Sequence, residues 1–438
     1  DLTTNDKSKQ GPSGGPITRD NTSVEYYCTI FALAESYHDP HLLWVGTDDG
    51  LVHLTRDGGK TWENITPKQL PPWSLISMIE VSTFSPGKAY LAVDRHRLND
   101  FKPYIYKTED FGQTWKKITN GLPPNTFIRV VREDPGRQGL LYAGSETGVF
   151  VSFDDGEHWQ SLQLNLPIVP IRDLVVKDND LVAATHGRSF WILDDLTPLH
   201  QLTSAVAQSR YYLFKPRTAY RLRGRGFRRS NLGENPPSGS VIYYYLREVP
   251  QEPVRLEFFD AQGKLIRSFS SQPAPAAPIE ERSSFFSSFP VRVPVKKGMN
   301  RFVWDMRYPG AVRVPGAVLW AGLLSGPVAV PGTYRVKLSI GDWSMTQEWE
   351  WKKDPRVEAS QEDLLAQFDL LIKIRDKLSE VNRGIIRLRS AKKQLQEYLE
   401  KIKDYPGADE VVKAGRAIIA HLQEVENVLR SEERRVGK

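Results

Sequence analysis

Apolar residues in the first 200 positions form short segments that are separated by turns rich in glycine and polar residues. Leu43–Thr47 and Leu141–Ser145 are two such segments, and in each a glycine comes just before a terminal hydroxyl residue. Alternating segments such as Leu75–Ile79 and Ile128–Val131 lie between them. Segments of this length and spacing predict β-strands joined by tight turns.

One eight-residue template, Ser/Thr-x-Asp-x-Gly-x-Thr/His-Trp, occurs three times, and we call it the repeat turn. An Asp in a tight turn accepts hydrogen bonds from nearby backbone N–H groups, and a Gly supplies the positive φ that such turns need. The Trp begins the next strand, so its ring can lie between neighbouring sheets. The predicted structural positions are Thr55, Asp57, Gly59, Trp62, Thr108, Asp110, Gly112, Trp115, Ser152, Asp154, Gly156 and Trp159.

Each repeat turn sits among apolar segments that indicate four short antiparallel strands, which is one blade of a β-propeller. A fourth unit is degenerate, because residues 187–195 replace the repeat turn after two apolar segments. The sequence therefore predicts a mainly β fold that starts with a partial β-propeller of about four blades. Propellers usually have ~4–8 blades, so we expect this chain to be the C-terminal part of a longer protein.

The repeat turns, within roughly residues 25–198, resemble the Asp-box (BNR) repeats of sialidases, xyloglucan-hydrolysing propellers and sortilin-type receptors. More narrowly, the chain resembles bacterial secreted sortilin-N-terminal-like "glycosyl hydrolase" BNR-repeat proteins. In that family the box is structural and lies away from the ligand-binding face. The resemblance implies an extracellular or periplasmic location, with further blades before this segment and a β-sandwich after it.

The rest of the chain predicts an immunoglobulin-like β-sandwich, from short strands at regular spacing, and a C-terminal α-helical hairpin. The hairpin begins at a capping box, Ser360–Asp363, and is interrupted at Pro406 and Gly407. The pattern from Gly298 to Tyr334 resembles the sandwich of flagellar hook-capping and extracellular sorting domains. The predicted divisions are an N-terminal extension 1–24, blades 25–198, a connector 199–236, the sandwich 237–353, the hairpin 354–431 and a tail 432–438.

The composition argues against several classes of function, including nucleic-acid binding and membrane insertion. A formal charge of +6 over 438 residues is too mild to indicate nucleic acid, and we assign the basic run Arg221–Arg229 to a solvated loop. Apolar stretches of the ~18 residues that a membrane helix needs are absent from the sequence, so we expect no membrane insertion. The single cysteine, Cys28, excludes an internal disulfide, and we expect it to be buried in a strand. Neither metal-ligand spacing nor a phosphate loop is evident, so no metal and no cofactor are expected.

Candidate chemistry comes from an insertion in the second blade, residues 94–104. Hydrolysis of a glycosidic bond usually needs two carboxyl groups, and Asp94 and Asp100 are the predicted catalytic pair. The predicted ligand-binding residues are Arg95, His96 and Arg97 of the insertion and His186 and Arg188 at a turn of the fourth blade. Asp48 and Asp49 are interpreted as a plain turn. The arginines Arg129, Arg172 and Arg188 recur on successive blades, but the Tyr/Glu pair of a sialidase is not identifiable.

Two functions remain open at this point. The first is an exported protein of glycosyl-hydrolase type that acts on or binds glycans, with catalysis unproven; if it is an enzyme, it is a glycoside hydrolase. The second is a noncatalytic, sortilin-like propeller scaffold that binds a protein or peptide. The predicted partner is therefore a glycan or a peptide, and not a nucleic acid.

Overall fold

The computed structural model describes residues 1–10, 27–222, 237–272, 291–317 and 324–436. It divides into two compact units, Asp1–Thr203 and Ser204–Lys438, which we describe separately. Most of the predicted N-terminal extension and most of the basic run lie outside the described residues. A 3-10 turn, Lys7–Lys9, precedes the first blade. None of the helices in the described ranges is long and apolar enough to cross a membrane.

The first unit contains four antiparallel sheets in which the strands follow one another in chain order, three with four strands and the last with three. Each sheet is one blade, so the predicted partial propeller of about four blades is confirmed. The strands are β1 Ile30–Glu35, β2 Leu43–Thr47, β3 Val52–Thr55 and β4 Glu63–Asn64; β5 Leu75–Val81, β6 Ala89–Asp94, β7 Tyr104–Thr108 and β8 Lys116–Lys117; β9 Ile128–Glu133, β10 Leu141–Ser145, β11 Val149–Ser152 and β12 Gln160–Ser161; β13 Ile171–Lys177, β14 Asp180–Thr185 and β15 Phe190–Leu193.

The blades stack through apolar layers, one between each neighbouring pair. The first strand of each blade, β1, β5, β9 or β13, contacts the first strand of the next. Between the first two blades, Trp44 and Leu54 pack against Leu91 and Tyr106, and all four side chains are buried. Helix α1, Thr197–Gln201, follows the last blade.

The repeat turns have the predicted local geometry. In the first one, Thr55 Oγ1 donates to Asp57 Oδ1 at 2.7 Å and accepts from the Gly59 N–H at 2.9 Å. Asp57 also accepts from the N–H groups of Lys60 and Thr61, both at 2.9 Å. Gly59 has a φ of 94°, which only glycine adopts readily. The turns that follow β7 and β11 repeat these hydroxyl–carboxylate and hydroxyl–glycine bonds.

The Trp of a repeat turn fastens its blade to the blade before it. Trp115 Nε1 donates to the carbonyl of Ile65 at 2.7 Å, and Trp159 Nε1 donates to the carbonyl of Ile118 at 2.9 Å. Ile65 and Ile118 each come directly after the fourth strand of the preceding blade. In the first blade, Trp62 Nε1 instead donates to Gly59 of its own turn at 3.1 Å.

The substitution Trp159→Ala should lower the free energy of unfolding by about 3–5 kcal/mol, the usual cost of removing a buried aromatic side chain. The matched change Trp62→Ala should cost clearly less, because that ring is half-buried and bonds only within its own turn. Denaturant unfolding of both variants measures the difference. Equal losses would contradict the role of the indole as a fastening between blades.

A buried charge network also joins the second and third blades. Lys88 Nζ lies 2.9 Å from Asp155 Oδ1 and 3.5 Å from Glu133 Oε1. Lys107 Nζ donates to Asp155 Oδ2 at 2.9 Å, and the Tyr90 hydroxyl donates to Glu133 at 3.1 Å. Burial acts to raise the pKa of Asp155, but the bonds from Lys107, Lys88 and Tyr90 outweigh it, so the pKa lies below its usual value.

Because that pKa is depressed in the folded state, the contribution of Asp155 to stability is complete above its unfolded value of about 3.9. The contribution is lost as the pH falls from there through the folded-state pKa. The variant Asp155→Asn should therefore differ most from the parent above about pH 4, and the gap should narrow on acidification. Urea titrations at several pH values check this, with exposed Asp178→Asn as the control. A gap that stays constant with pH would overturn the assignment.

The second unit contains two sheets and two long helices, which confirms the predicted sandwich and helical hairpin. One sheet has the order β16-β18-β21 and the other β17-β23-β22-β19-β20, and an aromatic core that includes Phe258, Trp304 and Trp349 lies between them. The elements are α2 Ser204–Gln208, β16 Tyr211–Leu213, β17 Ala219–Arg221, β18 Ser240–Leu246, β19 Val254–Phe259, β20 Leu265–Ser270, β21 Gly298–Trp304, β22 Gly332–Ile340, β23 Trp343–Lys353, α3 Gln361–Ile402 and α4 Asp409–Val436.

The hairpin packs on the sandwich through polar contacts as well as apolar ones. Asn382 Nδ2 donates to the carbonyl of Val312 at 2.6 Å, and Tyr308 contacts Phe368 edge to face. The two helices are joined by Glu426, which accepts from Arg389 at 2.7 Å. The predicted capping box at Ser360 is present.

Three expectations need correction. The predicted connector 199–236 is not only a linker, because Tyr211 pairs with Leu246 in one sheet and Ala219 pairs with Trp351 in the other. The predicted tail 432–438 is helical as far as Val436. Cys28 lies outside the strands, is partly exposed and has a φ of 68°, since the chain turns there before it enters β1.

Candidate ligand-binding site at one end of the blades

The strands of a blade alternate in direction, so its connections fall at two opposite ends. The repeat turns join the third strand to the fourth, and the connections between the second and third strands lie at the other end, which we call the site end. All the predicted catalytic and ligand-binding residues end or follow a second strand and therefore lie at the site end of their blades. Asp94 is the last residue of β6, Arg95, His96, Arg97 and Asp100 follow it, and His186 and Arg188 follow β14.

Every first strand has an irregular register at the site end, with one residue left out of the pairing. Such a bulge redirects its side chain and is common beside binding sites. The bulged residues are Phe31, Ser77, Arg129 and Arg172. In each blade, the residue before the bulge pairs with a residue of the second strand, and the next residue along the second strand lies beside the bulge. These neighbouring residues are Asp48, Asp94, Glu146 and His186. We call these eight residues the bulge ring.

Asp94 is bound on both carboxylate oxygens, and its side chain is only 1% exposed. Oδ1 accepts from the His96 N–H at 2.9 Å and lies 2.6 Å from His96 Nδ1, while Oδ2 lies 3.4 Å from Arg129 Nη1. Arg129 Nη2 also pairs with Glu146 at 3.0 Å. Phe127 supports the cluster, because the His96 ring stacks on it at 4.9 Å and the Arg129 guanidinium lies 4.8 Å from its centre.

Asp100 has a similar set of donors. Its Oδ2 accepts from Arg95 Nε at 3.1 Å and from the Tyr104 hydroxyl at 2.8 Å, and Oδ1 accepts from the Lys102 N–H. Burial acts to raise the pKa of Asp100, but these hydrogen bonds outweigh it and hold the pKa below its usual value. Arg95 Nη1 also donates to Ser74 Oγ at 2.8 Å. This pair therefore ties the insertion to the loop that precedes β5.

The fourth blade carries a cationic edge. Arg172 Nε and Nη2 lie 3.3 and 3.1 Å from His186 Nδ1. Arg188 is exposed on the same turn, and its carbonyl accepts from Trp191 Nε1. The pair of Arg172 and His186 occupies the positions that Arg129 and Glu146 occupy in the third blade.

A small cleft opens between the first blade and the insertion. Tyr27 and Trp73 stack on one side of it, with ring centres 5.5 Å apart. Burial raises the pKa of the Tyr27 hydroxyl, which therefore stays protonated at neutral pH. The lining residues are Tyr27, Asp48, Trp73, Leu75, Asp94, Arg95, His96, Arg97 and Leu98.

The sequence interpretation places Asp48 in a plain turn. In the structure its side chain is buried and lines this cleft. Its Oδ1 accepts from the Thr29 N–H at 2.8 Å and its Oδ2 from Thr29 Oγ1 at 3.1 Å. Burial nevertheless raises the pKa of Asp48, because these bonds offset the loss of hydration only in part. Asp48 and Asp94 hold equivalent positions of the bulge ring in neighbouring blades, and both line the cleft.

The described residues contain no group of three or more His, Cys, Asp or Glu side chains that could hold a metal ion. The polar groups of the cleft are instead suited to hydrogen bonding with a neutral or charged organic ligand. Sequence reasoning missed the bulge ring. Its signal is an isoleucine before each bulged residue, at Ile30, Ile76, Ile128 and Ile171.

The substitution Arg129→Leu should destabilise the protein by about 3–5 kcal/mol, because it leaves the Asp94 carboxylate buried without its cation. The double variant Arg129→Leu/Asp94→Asn should recover much of that loss. A double-mutant cycle measured by denaturant unfolding checks the coupling. Additive losses would show that the two side chains act independently.

No family model matches the chain, and no curated protein matches its sequence. Among solved structures, it is similar to YCF48 bound to D1 peptide, at 22% identity over 38% of this chain and 52% of that one, with a TM-score of 0.31. It is similar to YCF48 from Cyanidioschyzon merolae, at 18% identity over 38% and 53%, with a TM-score of 0.29. It is also similar to the Niastella koreensis GH74 enzyme, at 14% identity over 49% and 27%, with a TM-score of 0.30.

The alignments thus span about half the length of the YCF48 chains and about a quarter of the Niastella koreensis enzyme. TM-scores near 0.3 and identities below 25% assign no function to this chain. The assignment of the blades therefore depends on the order and register of the sheets themselves.

Proposed function

We propose that the site end of the blades binds a glycan and does not hydrolyse it. The observation that carries this proposal is the cleft in which the stacked pair of Tyr27 and Trp73 faces the polar insertion of the second blade. The cleft is small and open to solvent, so within this proposal it contacts one sugar residue of a longer chain.

The aromatic pair supports this ligand class. The face of an aromatic ring is negative and attracts partly positive groups, and the C–H groups on one side of a pyranose ring are such groups. Trp73 is half-buried, so part of its indole stays accessible beside the cleft. Its stacking against Tyr27 fixes the orientation of the indole before a ligand arrives, which lowers the entropic cost of binding.

The polar groups of the cleft supply both donors and acceptors for sugar hydroxyls. Asp48 provides a carboxyl group at the cleft wall, and His96 is held in place by Asp94. Arg97 is exposed, lines the cleft and makes no hydrogen bond or ion pair with any described residue. Its five N–H donors remain for a ligand, and they would suit vicinal hydroxyls or a carboxylate.

The predicted catalytic pair, Asp94 and Asp100, is not in the state that hydrolysis by that pair requires. A glycosidase needs one carboxylic acid with a raised pKa and one carboxylate that acts on a water or on the sugar. Asp94 is buried and bound on both oxygens, and hydrogen bonds hold the pKa of Asp100 low. Both side chains position the insertion, and neither is placed as the proton donor.

Within this proposal we assign the chain to the exported Asp-box (BNR) type of propeller, in the extracellular or periplasmic space. The bonds of the three repeat turns support that assignment, because each part of the sequence template has a structural role there. The turns lie at the end of the blades opposite to the cleft, as expected where the box is structural and ligands bind elsewhere.

A second candidate is a noncatalytic, sortilin-like scaffold for proteins or peptides. The exposed arginines Arg172 and Arg188 favour it, because guanidinium groups pair well with carboxylates. An acidic side chain or a C-terminal carboxylate would be the group recognised there. This edge and the cleft belong to different blades, so the two candidates can be separated by mutation.

The variant Trp73→Ala should lose at least tenfold in affinity for the glycan that the full chain captures from a glycan array, because the stacking surface is removed. Tyr37→Ala is the matched control. Tyr37 is an exposed aromatic residue in the connection between β1 and β2, at the opposite end of the first blade, and its removal should leave binding unchanged. Binding that survives Trp73→Ala but is lost in Arg172→Ala/Arg188→Ala would favour the peptide scaffold.

Incubation of the chain with each captured glycan should release no reducing sugar above the level of the no-protein control. The variants Asp94→Asn and Asp100→Asn should likewise show none. Turnover that disappears in Asp94→Asn, with glycan binding retained, would replace the binding proposal with hydrolysis.

A further inference from the structure

Trp73 has a backbone conformation that residues of its type rarely adopt. Its φ is 60°, and a bulky residue in this left-handed region is an outlier. Such conformations persist only where the surrounding structure holds them, and they cluster at ligand-binding and active sites. The neighbours of Trp73 must therefore supply the contacts that keep its backbone in place.

The guanidinium group of Arg95 holds the backbone on both sides of Trp73. Its Nη1 donates to the carbonyl of Pro72 at 2.7 Å and lies 3.3 Å from the carbonyl of Pro71 and 2.8 Å from Ser74 Oγ. Ser74 Oγ in turn donates to the carbonyl of Pro71 at 2.6 Å. Because the Pro72 carbonyl belongs to the peptide group that precedes Trp73, fixing that carbonyl restricts the φ of Trp73.

Arg95 is itself fixed by the second blade. Its Nε donates to Asp100 Oδ2 at 3.1 Å, and the same oxygen accepts from the Tyr104 hydroxyl at 2.8 Å. Tyr104 is the buried first residue of β7. A guanidinium group carries several donors in a rigid planar fork, so it can bridge Asp100 and the backbone around Trp73 at once, which the single ammonium group of a lysine does not reproduce.

The first blade also packs against the backbone of Trp73. A Cβ added at Gly50, in the turn between β2 and β3, would lie 3.0 Å from the Ser74 nitrogen and 3.3 Å from the Trp73 nitrogen. Gly50 has a φ of 97°, so both the close approach and the turn require glycine. The Tyr27 hydroxyl donates to the Trp73 carbonyl at 3.4 Å, and the two rings stack. Three separate segments therefore hold Trp73.

We propose that Arg95 is a positioning residue for the glycan, and that it acts by holding Trp73 in its left-handed conformation. This inference rests on the proposed function, because it gives the insertion the task of presenting the indole that contacts the sugar. Without Arg95 the φ of Trp73 would relax to a negative value. The Cα–Cβ bond would then point in a different direction, and the indole would leave its stacked position against Tyr27.

The first test needs no ligand and uses near-ultraviolet circular dichroism, which reports aromatic side chains in fixed packing. The difference spectrum between the parent and Trp73→Phe gives the contribution of this indole. In the Arg95→Met background the same difference should fall to about half or less, because the indole is no longer fixed. Arg95→Lys should have the same effect. Asp100→Asn loosens Arg95 without replacing it, and should act in the same direction. Far-ultraviolet spectra check that each variant is folded.

The second test is a double-mutant cycle on affinity for the glycan that the full chain captures from the array. Arg95 lines the cleft, so the cycle must separate positioning from direct contact. Arg95→Met alone should weaken binding about fivefold or more, since the indole must then be ordered when the ligand binds. In the Trp73→Ala background the same change should weaken it less than about twofold, because the side chain that Arg95 positions is already gone. Equal losses in both backgrounds would show that Arg95 contacts the ligand itself, and would overturn the positioning role.

The matched control is Arg56→Met. Arg56 is an exposed arginine of the first repeat turn, at the opposite end of the first blade, and its removal should leave the difference spectrum and the affinity unchanged. A parent chain that binds glycan, with a spectrum or an affinity that does not depend on Arg95, would overturn this inference and leave the proposed function intact. A parent chain that binds no glycan would overturn the proposed function, and with it the role of Arg95 in binding.

Discussion

The bond from a tryptophan indole to the carbonyl of the preceding blade is the constraint on which the propeller unit depends. A blade of four short strands has a small core of its own, so its stability comes from the layers that it shares with its neighbours. Trp115 and Trp159 set the spacing of those layers, because each indole can reach its carbonyl only when the two sheets are stacked closely. Burial of the apolar layers supplies most of the free energy that stabilises the stacked blades, and the indole hydrogen bond fixes the relative position of neighbouring sheets.

Glycine makes this approach possible. A Cβ at Gly112 would lie 2.6 Å from Ile65 Cδ1, and one at Gly156 would lie 2.4 Å from Ile118 Cδ1, distances that real side chains do not allow. The same glycines have positive φ angles, so the turn and the contact between blades require one residue type at one place. The repeat can therefore be recognised in the sequence, because Asp, Gly and Trp are each required for a different structural reason.

The sequence was therefore sufficient for the blades, the sandwich and the hairpin, and it failed where contacts depend on three-dimensional register. The bonds of the hydroxyl, Asp and Gly positions of the repeat turn lie within eight residues, so its template could be interpreted directly. The cluster of Asp94, Arg129 and Glu146 joins two blades through a bulge, and periodicity does not record a bulge. The strands β16 and β17 escaped prediction because they are three residues long and pair with distant segments. The aromatic cleft needs Tyr27 and Trp73, which are far apart in the chain, to be brought together by folding.

The two ends of the blades differ in role: the repeat turns at one end are structural, and the proposed binding cleft lies at the other. At the repeat-turn end the Asp and Ser/Thr side chains of the three repeat turns are held in short local hydrogen bonds. At the site end the bulges turn side chains out of the sheets. The insertion of the second blade is anchored by the ion pair of Asp94 with Arg129 and is braced internally by the ion pair of Arg95 with Asp100. Those ion pairs consume the carboxylates of Asp94 and Asp100, so the residues that give the loop its charge are also the ones that make it rigid. The other groups that line the cleft are Arg97, Asp48 and the stacked aromatic pair. A rigid loop beside the cleft favours ligand binding, because the side chains are already ordered in the folded protein and lose little conformational entropy when a ligand binds.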